Sequence, residues 1–458
     1  MAIERLTAED QLMLAASGRW PQDIGALALL DGGHLLDAAG QLRIDAVRAA
    51  IRSRLHLAPR FRQVVQVPGR GLGPPLWVDD PAFDLDDHVR VLPVPAPGGE
   101  AELLAAVERL RRRPLERSRP LWQLWFLTGL AEGRVGLYVK LHHAVADGMA
   151  TMATMARFLD PVADPPAAQP PPWAPAPGPT AAALLADNLL RHLRRISGAL
   201  ATFTRPRAAL RRLRRAWPAT REVLVGAPPP ATSLDRLVGP DRSLALVRTT
   251  LDQVREIAHG NDATVNDVLL ALTADGLRAL LQRRGEPVED TTVRIWVPVS
   301  LRRRGPDAPG DHPGPLQGNL VAQMVVPLPL GGPHPGRRLR RIAAETALRK
   351  ARVRSSLGTL FGGRVMRRLL LPAVIRQRVN VTSASIPGPT GPRYLAGARV
   401  LEVFPVLPLI GHVTLGVGAL SYAGTFTIGV VADRAAYPDL EVFAAAVRAA
   451  LRRQEVPA

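Results

Sequence analysis

The chain has 458 residues, no cysteine, 47% hydrophobic residues and a formal net charge of +19, carried almost entirely by arginine. That rules out disulfides, thiolate metal sites and a cysteine nucleophile, and it leaves room for two packed cores. The charge fits attraction to anionic membrane lipid, or simply genomic base composition; nucleic acid is disfavoured, because the basic clusters lack interleaved aromatics and no helix-turn-helix or zinc pattern occurs.

The first ten residues carry acids and no apolar signal core, and no stretch reads as a spanning helix, so a cytoplasmic location is expected. Ile44 to Leu55 reads as a helix. Trp122 to Leu127 and Val135 to Leu141 read as strands. The second strand runs into His142-His143-Ala144-Val145-Ala146-Asp147-Gly148, and a helix is expected from Met149 to Leu159. Pro161 to Pro179 is dominated by Pro and Ala and reads as a linker or an extended surface crossing.

A largely helical, arginine-studded segment follows from about Thr180 to Trp217. Leu184, Leu185, Leu189, Leu193 and Ile196 recur in it at near-helical spacing. Two readings stay open: a basic amphipathic helix of the membrane-surface type, or an ordinary surface helix with a solvated Arg face. After Pro228-Pro229-Pro230, a strand is expected over Ser243–Thr250 and helices over Leu251–His259 and Val265–Leu281. Val293–Val299 reads as another strand, and Val400 to Ala432 is rich in β-branched residues and reads as strands. The economical architecture is α/β, with lobes at 1–160 and 231–458 joined by a Pro-rich crossing and basic helical segment at 161–230.

The seven-residue motif concentrates the chemistry. A metal reading is weak, because adjacent strand residues point to opposite faces and His142 and His143 cannot easily chelate one ion. Serine catalysis is weak too, because no Gly-x-Ser-x-Gly elbow occurs. General-base catalysis fits better. His143 shares parity with Val135, Leu137, Val139 and Leu141, so a neutral imidazole there could face the interior and take a proton from an alcohol. Asp147 reads first as a helix cap or ion-pair partner, and Gly148 as a tight-turn position. By spacing alone, a satisfied core histidine pair remains an alternative.

His-His-x-x-x-Asp-Gly resembles the signature of a CoA-dependent acyltransferase superfamily that includes chloramphenicol acetyltransferase and the condensation domains of peptide synthetases. Other blocks resemble its bacterial wax ester synthase/diacylglycerol acyltransferase family. They are Pro120-Leu121-Trp122, Thr264-Val265-Asn266-Asp267-Val268, Val297 to Arg302, Gly318-Asn319, Leu328-Pro329, Asn380 to Pro389, Leu395 to Ala398 and Ser421-Tyr422. Together they span nearly the whole chain. Gln123 stands where the family has Glu, and Ala384-Ser385 where it has Ser-Asn.

The resemblance implies two chloramphenicol acetyltransferase-like lobes with a substrate tunnel between them. It implies His143 as general base, His142 as its structural support and Asp147 as mainly architectural, with Arg302 as a candidate ion-pair partner. Asn266 would complete the catalytic set, and Gly148, Pro120, Trp122 and Asp267 would bind substrate. The implied reaction moves a long-chain acyl group from acyl-CoA to diacylglycerol, a long-chain alcohol or both, with no metal and no cofactor. Such acceptors are lipid-borne, so the implied location is peripheral, at the inner face of the plasma membrane or on lipid droplets. Candidate anionic-lipid docks are Arg191 to Arg215 and Arg364 to Leu371. The alternatives are an acyltransferase of secondary metabolism acting on a non-lipid alcohol, or a non-catalytic lipid- or CoA-binding member of the fold.

Overall fold

The computed structural model describes residues 3–18, 20–21, 23–145, 148–166, 170–203, 231–300, 321–332, 334–356 and 379–453. Its described helices are α1 (Ala8–Ala16), α2 (Ile44–Arg54), α3 (Glu100–Arg112), α4 (Gly148–Ala156), α5 (Ala181–Phe203), α6 (Leu251–His259), α7 (Val265–Arg283), α8 (Pro335–Ser356) and α9 (Leu440–Arg453). The strands of the first half are β1 (Asp23–Asp31), β2 (Gln63–Gln66), β3 (Leu76–Asp79), β4 (Val89–Pro93), β5 (Trp122–Thr128) and β6 (Arg134–His142). Those of the second half are β7 (Arg242–Thr250), β8 (Thr292–Ser300), β9 (Val321–Pro329), β10 (Val379–Pro387), β11 (Tyr394–Leu395), β12 (Ala398–Val406), β13 (Leu415–Tyr422) and β14 (Thr425–Asp433).

Two six-stranded mixed sheets carry the two lobes. The first has the order β11-β12-β1-β6-β5-β4, the second β7-β14-β13-β10-β8-β9. In the second, α6, α7, α8 and α9 supply or flank the apolar core behind the strands. Thr250 caps α6, accepting from the Gln253 N–H at 3.2 Å. In the first, β6 alternates as its sequence demands. Val135, Leu137, Val139 and Leu141 join the core shared with α2, while Tyr138 packs with α3 on the other side.

The lobes are not divided by chain order. Strands β11 and β12, from the C-terminal half, complete the first sheet: β12 pairs with β1 from Gly25↔Val406 to Leu30↔Val400. Residues 394–406, expected within the second lobe at 231–458, thus lie in the first sheet. Asp160, at the end of the first half, meets this segment in a two-way bridge to Tyr394, at 2.8 and 2.9 Å.

While hydrogen-bonded in the first sheet, β12 lies against the second. The contact is close because glycines face it. A Cβ on Gly418 would come within 2.7 Å of Pro405 Cβ, one on Gly416 within 3.1 Å of Leu407 Cβ, and one on Gly429 would collide with the Pro405 carbonyl oxygen. Polar ties flank this seam. Arg248 of β7 reaches Glu402 of β12 at 2.9 Å and Glu100 of α3 at 2.8 Å. The buried Glu108 of α3 accepts from Arg111 Nε at 2.6 Å and from the Arg242 N–H of β7 at 2.8 Å.

The Pro-rich crossing is an ordered surface path where it is described. Trp173 meets Phe83 edge-on and carries Arg62 over its ring at 4.7 Å, and the Ala176 N–H donates to Asp79 at 3.1 Å. Among the described residues no helix is long and apolar enough to cross a membrane.

The glycine seam gives a direct test. Gly429→Ala should destabilise the protein by about 1–3 kcal/mol, because the added methyl forces the lobes apart. Gly69→Ala, with open space around it, should stay within about 0.5 kcal/mol. Urea midpoints at unchanged m-value measure both; equal midpoints for the two variants would show that the seam tolerates separation.

Candidate active site

Strand β6 ends at His142, and His143 opens the turn at 143–145 that leads toward α4. The two imidazoles therefore differ in setting, because one belongs to the last strand residue and the other to the first turn residue. Parity along β6 orders the residues up to Leu141; from His143 onward the turn sets the direction.

His142 is buried and its two ring nitrogens are engaged. Nδ1 accepts the Ala144 N–H at 3.0 Å, which leaves Nε2 as the protonated nitrogen, donating to the Ser17 hydroxyl at 2.6 Å. Ser17 in turn donates to the Met13 carbonyl at 2.7 Å. Burial, with smaller contributions from His143 and Arg117, pushes the His142 pKa down to about 4. The ring is a neutral brace that ties the end of β6 to the end of α1. Ser17 is absent from any motif. It lies 125 residues away in sequence, and nothing in the local pattern marks it.

Next to it, on the same strand, Lys140 is fully buried. It pairs with Asp23 at 3.2 Å and donates to the carbonyls of Leu110 and Arg111 at the end of α3. A cation at a helix C-terminus is favourable. Burial lowers the Lys140 pKa and raises that of Asp23, with their mutual attraction opposing both shifts. This pair anchors β1 and β6 beside the histidines, where Asp23 stands opposite His142.

His143 is half-buried. Val145, Met152 and Met155, which follow it in the sequence, pack onto the first-lobe core that contains Leu141 and Phe158. Leu420 and Tyr422 of the second sheet belong to that same core, and Ile386 packs against it. Leu141 and Val145 of this segment thus pack in a core to which both sheets contribute. Gly148 is the first residue of α4. Asp147 and Arg302, and the second basic stretch at 364–371, lie outside the described residues.

Pro120 and Trp122 are buried. The Trp122 indole donates to the Phe61 carbonyl at 2.8 Å, and its ring stacks on Phe61 at 4.7 Å and on His88 at 4.4 Å. These are the contacts of a core tryptophan. Gln123 accepts from the Trp125 indole at 3.1 Å.

In the second lobe, Asn266 and Asp267 open α7. Both Asp267 oxygens are taken: Oδ2 accepts from the Thr264 N–H at 2.9 Å and its hydroxyl at 2.6 Å, and Oδ1 accepts from Thr346 of α8 at 2.6 Å. With the Asp267 N–H returning to Thr264 Oγ1 at 3.3 Å, this is a capping box. The contacts of Asp267 are those of a helix cap rather than of a binding group. Its neighbour differs: Asn266 Nδ2 is buried without a hydrogen-bond partner. A buried amide donor without an acceptor is costly, and such donors are common where a substrate oxygen is bound.

Two family models match the chain: the wax ester synthase/diacylglycerol acyltransferase catalytic domain over residues 6–269, and the WS/DGAT C-terminal domain over residues 317–454. Among curated relatives, the probable diacyglycerol O-acyltransferase tgs1 of Mycobacterium tuberculosis (strain H37Rv) is 30% identical over 451 residues, covering 94% of this chain and 90% of that protein. The fold is that of the wax ester synthase/diacylglycerol acyltransferase from Marinobacter aquaeolei VT8, with a TM-score of 0.68, 24% identity and 98% of each chain covered. It is also that of the first condensation domain of the calcium-dependent antibiotic synthetase, with a TM-score of 0.64, 18% identity and 100% and 98% coverage. The chain belongs to the wax ester synthase/diacylglycerol acyltransferase family of acyltransferases.

Proposed function

We propose that this enzyme transfers a long-chain acyl group from acyl-CoA to the hydroxyl of diacylglycerol, of a long-chain alcohol, or of both, with His143 as general base. The observation that carries the assignment is the state of His142. Its ring is neutral and spent on Ser17 and Ala144, so the proton transfer falls to its half-buried neighbour beside the apolar interlobe region.

In this reading the acceptor hydroxyl donates to a neutral His143 imidazole. As the oxygen attacks the thioester carbonyl carbon, His143 takes the proton and a tetrahedral oxyanion forms. The oxyanion collapses, the C–S bond breaks, and the imidazolium returns the proton to the departing thiolate. Products are the ester and CoA thiol. The unpartnered Asn266 amide supplies a donor for the oxyanion. Asp267 positions Asn266 through the α7 cap. A thioester is already activated, so the scheme requires no cofactor. The acceptors are lipid-borne, which places the enzyme peripherally at a membrane or lipid-droplet surface.

Purified protein with labelled palmitoyl-CoA and either dioleoylglycerol or hexadecanol tests the reading. Ester should form with at least one acceptor, and its absence with both would remove the substrate assignment. His143→Ala should lower kcat by about 10²–10⁴-fold with an unchanged circular dichroism spectrum. Wild-type turnover in that variant would overturn the base assignment.

The brace makes a separate prediction. His142 binds a proton near pH 6.5 when unfolded and only near pH 4 when folded. The unfolded state therefore holds more protons across that window. Stability is full above pH 6.5 and falls as pH drops toward 4, by up to about 3 kcal/mol. His142→Asn should flatten this part of the stability–pH curve, and an unaltered curve would remove the role of His142. Ser17→Ala should cost about 1–3 kcal/mol at neutral pH, because it strands the buried Nε2–H.

A further inference from the structure

Helix α5 is mounted with its polar side inward. Its contacts to the body are Asp187 to Arg5 at 2.9 Å, Asn188 to the Gly71 carbonyl at 2.8 Å, and the buried Leu184, whose carbonyl accepts from Arg5 at 3.3 Å. Leu185, Leu189, Leu190, Leu193 and Ile196 point the other way, and each is more than half exposed. An ordinary surface helix buries its apolar stripe. This one presents it, so the reading of α5 as a conventional surface helix is set aside.

The surroundings of the stripe are cationic. Asp187 is the only acid on α5, and it is paired with Arg5. Arg194 is exposed and Arg191 half-exposed. The loop tied to α5 through Asn188 carries Val67, 74% exposed, and Arg70. An apolar ridge flanked by arginines with no exposed carboxylate on its helix matches a surface that is apolar within and negative at its rim.

We propose that the outer face of α5, with the Val67 loop, is the docking surface for an anionic phospholipid bilayer. The inference rests on the lipid-acceptor reading above and deepens it by naming the surface through which the enzyme meets its acceptor. The Leu side chains enter the acyl boundary while Arg191, Arg194 and Arg70 meet the headgroups.

Flotation of the full chain with vesicles of phosphatidylcholine alone, or with one quarter phosphatidylglycerol, tests this. Wild type should float with the anionic vesicles, and less so as salt rises. Leu189→Glu/Leu193→Glu should lose at least about tenfold in vesicle affinity. It should keep wild-type turnover on a short-chain alcohol in solution. Unchanged flotation of the variant overturns the proposal. So does a wild-type dimer that the variant converts to monomer without change in flotation, which would make the ridge a subunit contact. A large fall in the variant's Tm with flotation retained also overturns it, because the chain itself would then cover the ridge. Absence of turnover in wild type and variant alike counts against the acyltransferase substrates, while the flotation result still decides the docking surface.

Discussion

The close approach of β12 to the second sheet is the constraint from which the rest of the arrangement follows. One strand is hydrogen-bonded into the first sheet and pressed by Pro405 and Leu407 against Gly416, Gly418 and Gly429 of the second. Backbone lies nearly on backbone, so the spacing between the sheets is set by atoms that have no rotamers. The ends of β1 and β6, with the histidine motif, hang from that same sheet. The distance across the interlobe region is inherited from three missing side chains.

Among the described residues, several buried charges near that seam are held in ion pairs. Lys140 with Asp23, Arg242 with Asp433, and Glu108 with Arg111 are all almost inaccessible. Such pairs add little net stability over apolar substitutes, but breaking one partner is expensive. Their arrangement here is directional: the first fixes β1 to β6 beside His142, and the last bridges to the start of β7. His142 follows the same logic with neutral partners. Asn266 Nδ2, by contrast, is among the buried polar atoms without a hydrogen-bond partner.

Much of the local structure is legible in the sequence. Alternation at Val135–Leu141 and Ser243–Thr250, and the helical patterns of Leu251–His259 and Val265–Leu281, mark elements that the fold contains within a residue or two. What is illegible depends on partners far away in the chain. No pattern announces that residues 394–406 belong to the first sheet, because strand pairing over such separations leaves no local trace. Ser17 is invisible for the same reason. Trp122 and Asp267 stand out as motif residues, yet their contacts are those of a core ring and a helix cap. Periodicity finds the Leu stripe of α5 but cannot say which side meets the body. That is decided by Arg5 and Asp187, one short ion pair 182 residues apart.

The exchanged strand also has a consequence for synthesis. Until residue 406 has left the ribosome, β1 has β6 on one flank and nothing on the other. Its bare edge carries Ala26, Leu27, Ala28, Leu29 and Leu30, the kind of flat apolar strand that recruits other strands. The nascent first half is thus a template without its final rung for more than half of translation. Its escape from aggregation depends on speed of completion or on a chaperone holding that edge. The same wiring means the gene cannot be cut between its lobes into two self-sufficient halves.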